Sequence, residues 1–113
     1  MSQATLRIDA LPAGALEASA TFHREWLEQA QAILGGDCAA LAIIVPAAPY
    51  DHADWRRAAV RDLARAWAPR RVNMVAGDDA AAIAETLAFL ASAPGVTGQL
   101  LQVGGQAGAD PAS

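Results

Sequence analysis

The sequence predicts an α/β domain in which a four-stranded parallel sheet, with its strands in sequential order, is accompanied by three helices. Strand-like and helix-like segments alternate along the chain, and this alternation is typical of a parallel sheet. Two of the strand-like segments, residues 40–45 and 72–76, are almost continuously apolar, as expected for strands buried on both faces. Apolar residues make up 54% of the chain, which favours a packed core over disorder.

The chain opens with a predicted edge strand and a long amphipathic helix. Residues 5–9 alternate between polar and apolar side chains, which is typical of a half-exposed strand. A helix is expected between residues 15 and 34, because apolar residues recur there at helical spacing. Its stripe consists of Phe22, Trp26, Ala30 and Ile33. Gly35 and Gly36 follow, and glycine readily adopts the left-handed conformation that commonly ends a helix.

The second strand and helix occupy the middle of the chain. Residues 40–45 form the first buried strand, and a helix is expected from about Asp51 to Ala68, just before Pro69. Asp51 and Asp54 resemble a capping box at its start. The helix carries one apolar stripe for the sheet and a second, on nearly the opposite side, of Trp55, Ala58, Ala59 and Ala66. A helix that is apolar on two sides has a second surface to bury, against a neighbouring helix or another subunit.

The last third of the chain repeats the pattern. After the strand at 72–76, Asp78 is the expected N-cap of a helix over 80–91, and residues 99–103 form the last strand. Right-handed crossovers would place all three helices on one face of the sheet. Buried parallel strands do not tolerate a bare face, so either the third helix crosses to the other face or a partner covers it.

Composition limits the classes of function and partner. The net charge of −4 argues against a nucleic-acid or anionic-membrane binder. Cys38 is the one cysteine, so no intrachain disulfide is possible, and a reducing cytoplasm is the expected location. No apolar run approaches the roughly 20 residues of a membrane span, and no secretory signal is visible. Residues 1–105 are expected to form a single domain, and the polar, glycine-rich residues 106–113 a disordered tail.

The segments from residue 57 to residue 105 resemble the C-terminal half of a short-chain dehydrogenase/reductase. R-R-V-N-M-V-A-G is similar to the penultimate strand of that family, and A-E-T-L-A-F-L-A-S followed by V-T-G-Q-L-L-Q-V-G-G is similar to its last helix and strand. Each stretch is short, but their order and spacing together are specific. The resemblance implies a Rossmann-like, three-layer fold in which the last helix lies opposite the two before it.

The groups that the resembled family uses for chemistry are missing. No glycine-rich turn follows the first strand, so no site for a dinucleotide is predicted. The family's proton donor is a Tyr with a Lys four residues later, and aligning that pair places Ala53 and Arg57 in the two positions. Tyr50 comes three residues too early. Residues 46–48 replace the family's Ser, and Ala76-Gly77 replaces its Pro-Gly. We therefore expect no catalytic residues, no cofactor and no metal.

Two polar groups allow other interpretations. His52, between Asp51 and Asp54, could belong to a metal or acid–base site, but no further His or Cys has ligand spacing, so a solvated helix cap is the preferred interpretation. The second helix also carries an arginine stripe: Arg57, Arg61 and Arg65. This stripe could meet a phosphate, but a solvated face, or pairing with carboxylates of a neighbour, fits an acidic chain better.

The resemblance without the catalytic groups predicts a pseudoenzyme that works by association. The helices at 15–34 and 53–68 match the pair that builds a four-helix dimer interface in the resembled family. The expected interface of a homodimer consists of Trp26, Trp55, Ala58, Ala59, Asp62 and Ala66. A second possibility is an accessory subunit that pairs with a full-length short-chain dehydrogenase through the same helices. An NAD(P)-dependent oxidoreductase is the least favoured alternative.

Overall fold

The computed structural model describes residues 2–104 and shows the alternating α/β architecture. The predicted tail at 106–113 lies outside these residues. The strands are β1 (Gln3–Arg7), β2 (Ala40–Val45), β3 (Arg71–Ala76) and β4 (Leu100–Gln102). The helices are α1 (Ala15–Thr21), α2 (Leu27–Leu34), α3 (Ala53–Trp67) and α4 (Ala80–Ala91). A π-helical stretch, Phe22–Trp26, joins α1 to α2 in one continuous helix, and a 3-10 turn, Tyr50–His52, precedes α3.

The sheet has the predicted sequential order, β1-β2-β3-β4, and all neighbouring strands are parallel. Its register sets Leu6 beside Ile43, Ile43 beside Met74, and Met74 beside Leu100. Because side chains alternate along a strand, this row points to one face and the neighbouring rows to the other. β2 is buried along its whole length, as its continuous apolar run predicts.

Two separate cores lie on the two faces of the sheet. The core on the first face contains Phe22 and Leu34 from the long N-terminal helix, and Val60 and Leu63 from α3. The core on the second face is built from the strand residues Ala42, Ile44 and Val75, which pack against Ile83 and Leu90 of α4. The last helix therefore crosses to the opposite face. Since the strands are added in one direction, the third crossover has the opposite hand to the first two, which is uncommon for parallel strands.

Three helix-end predictions need correction. α3 starts at Ala53 after the 3-10 turn, and no side chain caps it, so the capping box is wrong. Asp79, not Asp78, caps α4: its carboxylate accepts from the backbone N–H of Ala81 at 3.2 Å. Asp78 instead accepts from the backbone N–H of Ala47 at 3.3 Å and ties two loops together. The N-terminal helix does end at Gly35, but with a φ of −76°, which is not left-handed.

Candidate functional site

The carboxyl ends of β1 and β2 open into a cavity of about 370 Å³. Its walls are the loop after β1, which includes residues 9–13, and the loop after β2, residues 46–49, with side chains from the start of α3. The lining is largely apolar, because Ala, Leu and Pro dominate both loops. In open parallel sheets, ligands bind at this edge, beyond the carboxyl ends of the strands. We therefore take this cavity as the candidate site.

Arg56 lines the cavity and is buried, with only 3% of its surface exposed. Its Nη1 donates a hydrogen bond to the carbonyl of Pro46 at 2.9 Å, while its buried Nε has no partner among the described residues. Desolvation by burial lowers the pKa of Arg56 to about 10, so the side chain remains a cation at neutral pH. Its guanidinium carbon also lies 5.6 Å from the ring centroid of Trp55. The site thus contains a buried positive charge.

His52 lies on the same wall, and its interpretation as a solvated cap is wrong, since only 3% of its surface is exposed. Nε2 is 3.0 Å from the carbonyl of Ala13, and Nδ1 is 3.3 Å from the indole Nε1 of Trp55. A carbonyl can only accept and an indole N–H can only donate, so Nε2 carries the proton and Nδ1 is the acceptor. This arrangement defines a neutral tautomer with both ring nitrogens engaged.

The residues that face the cavity at the start of α3 differ from those that the family alignment places there. Arg57, which the family alignment puts in the Lys position, is exposed. Ala53 is buried and carries no group that can transfer a proton. His52 and Arg56 instead face the cavity, and they too are four residues apart. That spacing was visible in the sequence, but the buried environment that singles out the pair was not. Tyr50 is 77% exposed on the 3-10 turn.

A second cavity, of about 130 Å³, lies at the carboxyl ends of the three longer strands and the start of α4. Gly77 is part of its wall. A Cβ added at Gly77 would lie 2.6 Å from the carbonyl oxygen of Val103, far closer than ordinary contact. Glycine is therefore required here because β4 leaves the sheet directly beside it. The Gly of the Ala76-Gly77 pair is explained by this contact within the chain.

The predicted interface residues fall into two groups. Trp26 and Trp55 are partly buried against the first core, and the Trp55 ring centroid lies 5.5 Å from that of Phe22. Ala59 is buried in the same core, so its side chain packs inward. The solvent-facing members lie on α3: Ala58, Asp62 and Ala66. The arginine stripe, Arg57, Arg61 and Arg65, lies on the same exposed side of the helix.

Two absences hold for the described part of the chain, residues 2–104. No group of three or more His, Cys, Asp or Glu side chains is arranged to hold a metal ion there. None of the helices in that part combines the length and the apolar character that crossing a bilayer requires. Cys38 is buried as a free thiol, and its sulfur lies 3.5 Å from the carbonyl of Ile33.

Comparison with known proteins agrees with the fold. A family model described as "SDR-like: Short chain dehydrogenase-like protein" matches residues 6–103. No curated protein and no solved structure matches the chain. The matched segment covers every helix named above and nearly the whole sheet, and it includes the cavity and the exposed side of α3.

Proposed function

Since the chain belongs to the short chain dehydrogenase-like family, we propose that it is a non-catalytic member that acts by association, as a homodimer formed through the outward faces of α1, α2 and α3. The main observation that supports this proposal is the arrangement of charged residues on those faces. A cytoplasmic location is part of it and is supported by Cys38, a buried free thiol and the one cysteine of the sequence.

The start of α3 supports a non-catalytic role. The family's chemistry needs a proton donor whose proton is free to move near neutral pH. Ala53 has none, and the hydroxyl of Tyr50 belongs to a side chain that is 77% exposed and outside the cavity lining. His52 already uses one ring nitrogen as donor and the other as acceptor within the chain. A general acid would have to break one of these two bonds before it could act.

Complementary charge on adjacent helices supports association. The exposed side of α3 carries the arginine stripe and two carboxylates, Asp54 and Asp62. The exposed side of the N-terminal helix is acidic, with Glu17, Glu25 and Glu28 against Arg24. Within the described residues, the ion pairs are Arg24–Glu25 and Arg65–Asp62, each between neighbours on one helix. A two-fold axis that sets α3 of one protomer against the N-terminal helix of the other would pair the remaining charges.

Small side chains on α3 would allow that contact to be close. Ala58 and Ala66 are both exposed, and their separation of eight residues places them about 80° apart around the helix. Alanine lets helix backbones approach, while Trp26 and Trp55, half-buried beside this surface, supply larger apolar area. Leu16, which is 84% exposed at the start of α1, adds an apolar side chain that a partner would cover.

Light scattering after size exclusion, over about 1–100 µM protein, tests the homodimer. We expect a dimer whose dissociation increases with salt, because exposed charges are screened. Ala58→Arg adds bulk and a fourth arginine to the exposed side of α3 and should give a monomer. Ala84→Arg is the matched control, since Ala84 is an exposed alanine inside α4 on the other face of the sheet. A wild-type monomer at 100 µM, or equal effects of both variants, would contradict the proposed interface.

The accessory-subunit alternative uses the same surface with a different partner. It is favoured by the same unpaired charges on α3, because a full-length family member would present the corresponding helices. Mixing the chain with a short-chain dehydrogenase encoded beside it, followed by size exclusion, distinguishes the two. A stable mixed complex that Ala58→Arg abolishes would favour the accessory role. A homodimer that does not exchange with the enzyme would count against it.

The oxidoreductase alternative makes a separate prediction. An active enzyme must bind a nicotinamide cofactor, so titration with NADH and NADPH, followed by the fluorescence of the bound dinucleotide, is the direct test. We expect no saturable binding below about 1 mM, which is the upper end of the usual range of KM values. Saturable micromolar binding would overturn the non-catalytic proposal, whatever the oligomeric state.

A further inference from the structure

We propose that the 370 Å³ cavity beside Arg56 is a binding site for a small organic carboxylate with an apolar body. This inference concerns a different surface from the association proposed above, and it does not depend on a dimer. It starts from a buried cation for which residues 2–104 provide no ion-pair partner.

Arg56 is an unusual residue to bury in this way. Only 3% of its surface is exposed, and neither ion pair within residues 2–104 involves it. Its Nη1 is bonded to a neutral carbonyl, and its Nε has no partner there. Buried charges in proteins are ordinarily paired or bound to a ligand, because desolvation of an isolated charge is unfavourable. An anion in the cavity would supply the missing partner.

The walls of the cavity indicate that the part of the ligand beyond its anionic group is apolar. Leu11 and Pro12 line one side and residues 46–49, Pro-Ala-Ala-Pro, line the other. Binding sites of small molecules are mostly apolar cavities of about 300–1,000 Å³ with a few polar groups that fix orientation. The volume is within this range. An aliphatic or aromatic body would contact the loops while the anionic end meets the guanidinium.

A single negative charge fits the site better than a phosphate. Arg56 is the one arginine among the lining residues, and both ring nitrogens of His52 already form hydrogen bonds within the chain. Asp9, an exposed carboxylate, also lines the cavity. A dianion would meet one cation and one like charge, and like charges within a short distance disfavour each other. A monoanionic carboxylate satisfies Arg56 with less repulsion from Asp9.

The test uses benzoate as the probe and benzamide as its neutral counterpart of the same shape. Binding is followed by the ¹H–¹⁵N resonances of the Arg56 Nε–H and the Trp55 indole N–H, since Trp55 donates to His52 on the cavity wall. We expect saturable shifts of both resonances with benzoate at low millimolar concentration, and benzamide binding weaker by about tenfold or more, as a charged hydrogen bond implies. Inorganic phosphate should bind at least tenfold more weakly than benzoate.

Variants locate the charge that binds the probe. Arg56→Met keeps an unbranched apolar side chain without the cation and should lose benzoate binding by about tenfold or more. Arg57→Met removes an adjacent but exposed arginine and should leave binding unchanged. Asp9→Asn removes the like charge and should tighten binding about two- to fivefold.

Several results would overturn the site. Equal affinity for benzoate and benzamide would leave only an apolar cavity, and phosphate binding as tightly as benzoate would rule out the carboxylate preference. Saturation with benzoate not reached by 20 mM would also refute the site. If Arg56→Met does not fold, the comparison of benzoate with benzamide on the wild-type chain decides, because the Arg56 Nε–H reports directly.

Discussion

Replacement of Asn73 by leucine should destabilise the fold through the loop between α4 and β4. Asn73 is 1% exposed in the middle of β3, between the buried apolar residues Val72 and Met74. Its amide Nδ2 donates to the carbonyl of Val96 at 2.9 Å, and its Oδ1 accepts from the backbone N–H of Gln99 at 3.1 Å. The side chain therefore makes two hydrogen bonds to the loop that leads into β4.

The magnitude follows from these two bonds. Leucine has a similar shape, so little packing is lost, but each bond contributes about 0.5–1.5 kcal/mol and each backbone group left without a partner costs about 1–3 kcal/mol. Gln99 is exposed and Val96 is half-buried, so water can replace part of the loss. We expect Asn73→Leu to lower the free energy of unfolding by about 2–3 kcal/mol. At about 4–8 °C per kcal/mol, the Tm should fall by roughly 10–20 °C.

Urea unfolding followed by tryptophan fluorescence, with all proteins at one concentration, measures this change. Gln99→Ala is the control. It removes an exposed side chain but keeps the backbone N–H that bonds to Asn73, and it should stay within about 0.5 kcal/mol of the wild type. Hydrogen exchange at the Gln99 amide should accelerate in Asn73→Leu alone. A loss below 0.5 kcal/mol for Asn73→Leu would show that the amide does not hold the turn.

Two further predictions concern turns at the carboxyl edge of the sheet. Gly77→Ala should lower the free energy of unfolding by about 1–3 kcal/mol, because its Cβ would lie 2.6 Å from the Val103 carbonyl. Gly95→Ala, where nothing lies within 4 Å, should be neutral or slightly stabilising in the same urea assay, and equal losses would contradict this explanation. Asp79→Ala should cost about 1 kcal/mol and accelerate hydrogen exchange at the start of α4. Asp78→Ala should leave that exchange unchanged. Faster exchange in Asp78→Ala but not in Asp79→Ala would mean that Asp78 is the N-cap.

The layout of the fold could be predicted because the pattern of apolar residues within each segment indicates its secondary structure and its burial. Residues 40–45 and the β-branched and apolar residues of 72–76 read as buried strands, and both are central in the sheet. The stripe through Phe22 and Ala30 is buried as its spacing predicts. The face taken by α4 could not be decided by periodicity, because Ile83 and Leu90 would form the same stripe on either side of the sheet. The family resemblance, and not the crossover rule, gave the correct answer there.

The site was less predictable, because its residues are defined by distant contacts. In the sequence, His52 is a polar residue at the start of a helix. In the structure it is buried and lies within hydrogen-bonding distance of the carbonyl of Ala13, 39 residues earlier, and the local pattern does not predict this contact. A 3-10 turn before α3 shifts the start of the helix, and the alignment that selects Arg57 is one residue away from the inward position of Arg56. Helix ends are the least certain part of any pattern. One residue of error there turns a side chain by about 100°.

Arg56 offers a test of whether this buried charge serves a ligand or the fold. Burial lowers its pKa from the ordinary value of an arginine to about 10, so the folded chain disfavours the cation by roughly 3 kcal/mol, at about 1.4 kcal/mol per pKa unit. Because the folded pKa is the lower one, this penalty is fully present below pH 10 and declines as the pH rises above 10 towards the ordinary pKa of an arginine.

Arg56→Met removes the penalty and loses the bond to the Pro46 carbonyl, which contributes about 1.5–3 kcal/mol. Pro46 also lines the cavity, so water can take over part of that bond. At pH 7, without ligand, we expect Arg56→Met to unfold with a free energy up to about 1 kcal/mol above that of the wild type, and Arg57→Met to change it by less than about 0.5 kcal/mol. A loss of more than 1 kcal/mol in Arg56→Met would mean that the guanidinium holds the loop after β2 in place. A gain would mean that the fold keeps Arg56 against its own stability, as binding residues often are kept.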